Sequence, residues 1–533
     1  MSTAKTAPQY HTWWYAKTKF DKESEKWVLN KDKLEIDIIE FLDWLYLEGY
    51  RYTKIYDNGI LFRVTQNRIL EEIETAQVRQ FVIQWIDALP PDIICNDRRG
   101  ELEMEVPRKL LKETIVKGVN YFFDTKKLEA CLGPKETFTM CADTRTTKYA
   151  YFLNGYLHIN TKGIEFCNYN ELPGYIWASE IIQHSFNMAL AKDAKDEGQV
   201  KRFFQFVANG AMPPNPTDKQ LQDRAIRFAD LCTIAGYLCH SFNRYKLKAI
   251  LLTDARMSEG NEPNGRSGKT LFMRLVGGFI CADPTQPGQK TFVEIAGKNF
   301  DPSDKFRYDK AAHETKIICL NDVKRYFKTE WLFNDITDGL EVNKKNQQPF
   351  MLLVKMAVLS NLPIDLAGDS NLDRFLVFEF SEYFNRYHDP AKEFGNMFLS
   401  EQWSQKDWNQ YYYFLAQCVR TFFNDGCQLP QPAQINYQRR NLVEVVGRDL
   451  LDFIENEWRP VNREFYNVKT MYNQFVQSYP DNVKLKQSKF TMCIQKYMKD
   501  SGKYEPYTEA NNFQRDADGN RSICFISNKN PLD

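Results

Sequence analysis

Several features that would assign this chain to a class at once are missing from its sequence. No run approaches the roughly 18 apolar residues of a membrane-spanning helix, and the N-terminal segment has no apolar core like that of a signal peptide. The 12 cysteines form no CxxC pair, and no Cys/His cluster has the spacing of a zinc site. Scattered thiols of this kind fit a reducing compartment. We therefore expect a soluble, intracellular protein with no membrane partner.

The chain also has no excess of either positive or negative charge. The chain has 70 Lys and Arg residues against 70 Asp and Glu residues, so no overall basic field attracts it to nucleic acid. Any contact with DNA must come from local patches. Hydrophobic residues make up 43% of the 533 positions, which is enough to bury several cores and excludes a disordered chain.

Residues 1–172 predict a mixed α+β N-terminal domain. Helical spacing runs from Leu34 to Leu47 and from Asn67 to Leu89, and hairpin turns are expected at Asp57-Asn58-Gly59 and at Asn154-Gly155. No Asp-x-Asp motif lies on a convincing strand, as the two-metal site of a primase would require, and no His-x-His motif occurs. We expect a structural or DNA-contacting domain without an active site of its own.

Residues 173–245 predict a helical collar or linker. Helical spacing dominates from Ala178 to Tyr245, and a polar break in it contains Pro213, Pro214 and Pro216. This segment leads directly into the most informative stretch of the chain.

A strand, a flexible loop and a helix follow one another around Lys269. Lys248 to Thr253 is an apolar run typical of a buried strand, the loop after it ends in Gly-Lys-Thr, and Leu271 to Phe279 has helical spacing. Backbone N–H groups and a helix N-terminus in this order can cradle phosphates. The residues predicted to bind ATP are Gly265, Ser267, Gly268, Lys269 and Thr270. Lys269 would reach the β- and γ-phosphates and Thr270 would bind Mg²⁺; the alternative is a surface loop that contains Gly-Lys-Thr by chance.

Three later segments end in residues suited to phosphate chemistry. Ile317 to Leu320 is a β-rich run that delivers Asp322, which could hold Mg²⁺ and polarise the attacking water. The run from Met356 ends at Asn361, which could orient that water. Arg374 precedes another β-rich run and could reach the γ-phosphate of a neighbouring subunit. Taken singly, each is better explained as a strand end or a surface arginine.

Two further segments predict contacts with DNA. Residues 338–350 form a hairpin-like stretch with a basic tip at Lys344 and Lys345, for which a solvated loop is the alternative. In residues 436–533, three helices (Glu444 to Trp458, Val468 to Ser478, and Ser488 to Asp500 with Ser488 as N-cap) precede a two-stranded wing near Asp518-Gly519. The lysines expected to contact DNA phosphates there are Lys486, Lys489 and Lys496, and a solvated charged face is the alternative.

The order of these motifs resembles the superfamily 3 helicase core, an AAA+-type ATPase of viruses, phages and mobile elements. The matching residues are Lys269, Thr270, Asp322, Lys344, Lys345, Asn361 and Arg374. Residues 246–380 look like the papillomavirus and polyomavirus replicative helicases, and like the helicase part of poxvirus and phage primase-helicases. Pro363 also suits the family pattern.

This resemblance implies an α/β AAA+-like ATPase core with a P-loop over residues 246–435, and it favours a winged-helix domain over residues 436–533. It implies a homo-hexameric ring that uses ATP and Mg²⁺ and moves 3′ to 5′ along single-stranded DNA. Forked duplex DNA and other replication proteins are further expected partners. The expected location is the host cytoplasm or nucleoid, or the nucleus of a eukaryotic host.

Two positions depart from the family pattern. Pro263 replaces the first glycine of the loop, and Asn321 stands where many relatives carry a first acid. If both acids are needed, hydrolysis is slow unless a glutamate from elsewhere contributes. Two alternatives therefore stay open: a primase-helicase with unrecognised primase residues, and an ATP-switched origin-binding or scaffold protein with weak hydrolysis.

Overall fold

The chain folds into two compact units. A computed structural model describes residues 13–55, 58–65, 67–133, 135, 137–193, 196–243, 246–256, 265–286, 290–324, 327–345, 347–362, 364, 366, 369–505 and 507–527. The first unit comprises Met1–Ala142, Tyr149–His158 and Glu165–Phe186, and the second comprises Asp143–Lys148, Ile159–Ile164 and Asn187–Asp533. Within the described ranges, no helix combines the length and the apolar character needed to cross a membrane.

Up to Ile182 the chain mixes short strands and helices. The strands are β1 (Trp14–Asp21), β2 (Lys26–Ile36), β3 (Tyr50–Ile55), β4 (Asn58–Val64), β5 (Ile69–Glu72), β6 (Asp92–Asn96), β7 (Glu103–Pro107), β8 (Thr147–Phe152), β9 (Gly155–Asn160), β10 (Ile164–Cys167), β11 (Ile176–Trp177) and β12 (Ile181–Ile182). The helices are α1 (Ile38–Leu47), α2 (Thr75–Ala88), α3 (Arg108–Lys117), α4 (Val119–Phe122) and α5 (Thr125–Cys131). They form sheets in the orders β1-β2, β11-β5-β4-β3, β6-β7 and β10-β9-β8-β12.

Local capping and strand pairing decide where these elements begin. The first helix starts at Ile38 rather than Leu34, because the Asp37 side chain accepts hydrogen bonds from the N–H groups of Ile39 and Glu40. The helix predicted from Asn67 is wrong in its first part, because Ile69–Glu72 pairs with β4 as a strand. The β3–β4 and β8–β9 hairpins are present, but Asn58, Gly59 and Gly155 lie in the strands rather than in the turns, and Asp57 lies outside the described residues.

The second unit contains the remaining elements. Its helices are α6 (Met188–Ala191), α7 (Gln199–Asn209), α8 (Asp218–Cys239), α9 (Lys269–Ile280), α10 (Phe333–Thr337), α11 (Asp369–Arg374), α12 (Pro390–Phe394), α13 (Gln405–Asn424), α14 (Tyr437–Val446), α15 (Arg448–Asp452), α16 (Val468–Ser478), α17 (Gln487–Asp500) and α18 (Glu509–Asn512). Its strands are β13 (Ala249–Asp254), β14 (Phe292–Ala296), β15 (Ile317–Asn321), β16 (Leu340–Val342), β17 (Phe350–Leu352), β18 (Lys355–Leu359), β19 (Phe375–Phe380), β20 (Phe465–Asn467), β21 (Phe513–Arg515) and β22 (Arg521–Cys524).

Helices α7 and α8 occupy the segment predicted to be a collar. The helical expectation fails at residues 178–182, which form a 3-10 turn and the short strand β12, and in the described connections at residues 183–187, 192–193 and 196–198. Helix α8 packs closely against α13 at Gly236, where an added Cβ would clash with the carbonyl oxygen of Cys418. Only glycine permits this approach of the two helices.

A five-stranded parallel sheet in the order β14-β15-β18-β13-β19 forms the centre of the second unit. Every residue of β13 and β18 is buried, as expected for parallel strands covered on both faces. The chain leaves β13 through α9 to the edge strand β14, returns through β15 and β18, and then crosses to β19. In such sheets, ligands bind beyond the carboxyl ends of the strands where the strand order reverses.

The C-terminal residues form helices α14 to α18 and a three-stranded sheet in the order β20-β22-β21. The single helix predicted from Glu444 to Trp458 is divided, because Gly447 adopts a φ of +91° between α14 and α15. Ser488 is not an N-cap, since α17 begins one residue earlier, at Gln487. The antiparallel strand pair expected near Asp518-Gly519 is present as β21 and β22, and β20 joins it as a third strand.

Candidate active site

Lys269 lies in a buried polar pocket at the carboxyl end of β13. Gly268 precedes it with a φ of +99°, and a Cβ there would lie 3.0 Å from the Phe203 ring, so the turn requires glycine. The Lys269 side chain is 6% exposed. Its Nζ donates to Asp254 Oδ1 at 2.5 Å, to Asn361 Oδ1 at 3.0 Å and to Ser267 Oγ at 3.2 Å. Burial lowers the pKa of Lys269, and the Asp254 carboxylate opposes this shift.

Asn361 joins Lys269 to the acid of the neighbouring strand. It follows β18, and its Nδ2 donates to Asp322 Oδ1 at 2.9 Å. Asp322 follows β15 and has a φ of +59°, which turns the chain sharply at the strand end. Lys298 Nζ lies 2.6 Å from the other carboxylate oxygen of Asp322. The structure thus connects Lys269, Asn361 and Asp322 through one amide.

A second chain of hydrogen bonds, separate from the one through Asn361, starts at Thr270. Its hydroxyl donates to Asn321 Oδ1 at 3.3 Å, and Asn321 Nδ2 donates to Glu294 Oε1 at 2.7 Å. The hydroxyl of Thr270, the amide oxygen of Asn321 and the carboxylate of Asp322 are hard oxygen ligands of the type that Mg²⁺ prefers. Among the described residues, the buried Oδ2 of Asp254 has no hydrogen-bond partner, so the pocket holds unused acceptor capacity. These residues therefore fit a nucleotide with its Mg²⁺.

A cleft of about 880 Å³ opens in front of these residues, a volume typical of small-ligand sites. Its polar lining includes the stretch from Gly265 to Thr270 together with Asn321, Asp322 and Asn361. Residues 389–391 and 396–399 also line it, and they include the apolar side chains of Pro390, Met397, Phe398 and Leu399. The cleft therefore offers cationic and amide groups for phosphates and an apolar surface for a base.

Three contributors to this site were not identified from the sequence. Asp254 accepts a hydrogen bond from Lys269, and Glu294 accepts one from Asn321. Arg440 of α14 donates hydrogen bonds to Thr253 Oγ1 at 3.2 Å and to the Asn361 carbonyl at 2.9 Å. Arg440 is only 6% exposed. A single acid inside the β-rich run from Phe292 is the one signal that would have pointed to Glu294. No local pattern distinguishes Arg440 from its neighbours.

Arg374 and the basic hairpin lie elsewhere in the second unit. Arg374 ends α11, its Nε donates to Thr337 Oγ1 at 3.2 Å, and its guanidinium lies 4.7 Å from the centre of the Phe333 ring. Lys344 and Lys345 lie in the connection between the antiparallel strands β16 and β17. In the described part of the chain, the cleft lining includes none of these three residues.

The predicted lysines of α17 differ in their surroundings. Lys486 and Lys489 are exposed at its N-terminal end, whereas Lys496 is partly buried and pairs with Asp500 at 2.8 Å. Pro263 and Pro363, the two prolines of the predicted motifs, lie outside the described residues.

Comparison with known proteins assigns this chain to no family. No protein-family model matches the chain, and no curated protein matches it. Among solved structures, it is similar to a putative ATPase from Cytophaga hutchinsonii, at 12% identity and a TM-score of 0.22. The match covers 42% of this chain and 62% of that chain, so it spans less than two thirds of the other protein. The chain is a mixed α/β protein with a parallel sheet.

Proposed function

We propose that this chain is an ATP-dependent DNA helicase of the superfamily 3 type, serving replication of a virus, phage or mobile element. One observation carries the proposal. Lys269, Asn361 and Asp322 are connected by hydrogen bonds beyond the ends of β13, β18 and β15, and Thr270 lies in the first turn of α9 beside them. Phosphate-binding sites with this composition lie at the same position of parallel sheets.

Each residue has a separate task in the proposed reaction. Lys269 exchanges its contact with Asp254 for the β- and γ-phosphates, and the turn at Gly268 presents backbone N–H groups to them. Asn361 holds the attacking water beside Asp322, which accepts its hydrogen bond. Thr270 and Asp322 would hold Mg²⁺, which would neutralise charge on the phosphates. The apolar side chains of residues 396–399 cover the base.

The proposed active form is a hexameric ring with ATP between subunits. Arg374 is partly exposed and does not line the cleft of its own chain, which suits a role at the γ-phosphate of a neighbouring subunit. The hairpin with Lys344 and Lys345 would track one DNA strand, moving 3′ to 5′. The C-terminal domain is proposed to be a winged helix that contacts DNA phosphates, chiefly through the exposed Lys486 and Lys489.

Strand separation on a forked duplex tests this function. The wild-type chain should separate a labelled fork in the presence of MgATP, and Lys269→Ala should lose both ATP turnover and unwinding. Asn424→Ala, an exposed asparagine at the end of α13, is the matched control and should behave as wild type. Normal unwinding by Lys269→Ala would show that the proposed site is wrong.

A second candidate function is an ATP-switched origin-binding or scaffold protein. Asn321 favours it, because an amide stands where a first acid would speed hydrolysis. Such a protein would bind MgATP and DNA but would not separate a fork. ATP-dependent DNA binding without strand separation, at protein concentrations that saturate the fork, would select this function over the helicase.

A further inference from the structure

The amide of Asn321 is held between two strands and the start of α9. Asn321 ends β15 and pairs in register with Ala296 of the edge strand β14, while Glu294 lies opposite Cys319. Side chains alternate along strands, so Asn321 and Glu294 project from the same face, where Glu294 is 24% exposed. Their hydrogen bond is 2.7 Å long, and the one from Thr270 to Asn321 is 3.3 Å long.

This arrangement fixes which way the amide faces. An ionised carboxylate only accepts hydrogen bonds, so Glu294 requires the NH₂ group of Asn321 on its side. The amide oxygen must then face Thr270 and the predicted metal position. The two ends of an asparagine amide have nearly the same shape, so without Glu294 the group could turn its NH₂ toward the cation, where it cannot be a ligand.

We propose that Glu294 is a positioning carboxylate of the Mg²⁺ site. It orients the Asn321 oxygen toward Thr270 and supplies the negative charge that an asparagine lacks in place of an acid. This inference rests on the proposed nucleotide-binding function and deepens it, because it explains how the site holds Mg²⁺ without an acid at position 321.

The neighbours of Glu294 are compatible with this role. Arg274 Nε of α9 lies 3.6 Å from Glu294 Oε2, the carboxylate oxygen that does not accept from Asn321. A second cavity of about 390 Å³ reaches the same place, and its lining is Arg274, Glu294, Ala296, Lys298, Lys310, Asn321 and Asp322. The cavity gives solvent access to the pair.

The test is the Mg²⁺ requirement for binding a fluorescent ATP analogue. In Glu294→Ala, the Mg²⁺ concentration giving half-maximal binding should rise at least about tenfold, as is usual when a group that orients a metal ligand is lost. Binding of the analogue in EDTA should stay within about twofold of wild type. A general loss of structure would weaken this Mg²⁺-independent binding as well, so the two explanations can be distinguished. Glu105→Ala, an exposed glutamate of β7, is the matched control.

A double variant that exchanges the carboxylate and the amide is a stricter test of this role. In the double variant Glu294→Gln with Asn321→Asp, the glutamine amide donates to the new carboxylate, so the pair keeps its hydrogen bond and its single charge. We expect its Mg²⁺ requirement to return within about threefold of wild type, whereas Glu294→Gln alone stays weakened.

The possible outcomes distinguish an error in the role of Glu294 from an error in the proposed function. A Mg²⁺ requirement in Glu294→Ala within twofold of wild type, or a double variant no better than Glu294→Gln, overturns the role of Glu294 alone. A wild-type chain that does not bind the analogue, or binds it equally well after Lys269→Ala, overturns the proposed function and this inference with it.

Discussion

Asn361 makes the most specific prediction about the chemistry, because one amide contacts both Lys269 and Asp322. Asn361→Ala removes the acceptor for Lys269 at 3.0 Å and the donor to Asp322 at 2.9 Å. Each hydrogen bond to a charged group contributes about 1.5–3 kcal/mol, and losing one group that stabilises developing charge costs about 10²–10³ in kcat. We therefore expect kcat for ATP to fall about 100-fold, equivalent to about 2.7 kcal/mol.

Nucleotide affinity should change much less, by under about threefold, because Lys269 and the turn at Gly268 still bind the phosphates. The assay is phosphate release at saturating ATP, combined with equilibrium binding of a fluorescent analogue. Asn361→Asp is a second variant, which keeps an acceptor for Lys269 but places a like charge beside Asp322. It should be as slow as Asn361→Ala. Turnover by Asn361→Ala within about threefold of wild type would refute the role assigned to this amide.

Three further predictions follow from the placement of other side chains. Arg374→Ala should abolish ATP turnover but spare nucleotide binding, and mixing it with Lys269→Ala should restore part of the turnover through mixed interfaces; no recovery at any ratio would argue against a shared site. The double variant Lys344→Ala with Lys345→Ala should keep ATP turnover in a phosphate-release assay and lose strand separation. Normal unwinding by this variant would show that the two lysines are not needed to track the DNA strand. Burial, with Lys355 adding to it, lowers the pKa of His240 from 6.5 to about 4. The unfolded chain therefore takes up the proton first, and the His240 contribution to stability should fall by roughly 3 kcal/mol from pH 7 to pH 4 in urea unfolding. His240→Gln should flatten that part of the pH dependence, and an equal slope in both proteins would contradict the assignment.

Local patterns predicted the elements that carry the cleft. The apolar run before Thr253 and the Gly-Lys-Thr sequence are contiguous, so a strand, a turn and a helix could be placed from spacing alone. The β16–β17 hairpin and the strands that deliver Asp322 and Asn361 were equally local. Their assembly around Lys269 could be expected only because parallel strands present their carboxyl ends at one edge.

The remaining parts of the site depend on distant segments. Arg440 meets Thr253 and Asn361 only because α14 packs at the end of the central sheet, and no spacing in the sequence records that packing. Glu294 faces Asn321 because β14 pairs with β15, a register that neither strand determines alone. The helix expected from Asn67 failed for the same reason, since pairing with β4 overrode the helical spacing.

Mapping a bound nucleotide by photolabelling tests the central claim most directly. With 8-azido-ATP and Mg²⁺, we expect the label on residues 389–399, the segment with apolar side chains that shares the cleft with Lys269. Excess ATP should prevent labelling, and Lys269→Ala should reduce it at least about tenfold. Label found outside the cleft, or labelling unaffected by Lys269→Ala, would contradict the claim that this cleft binds ATP.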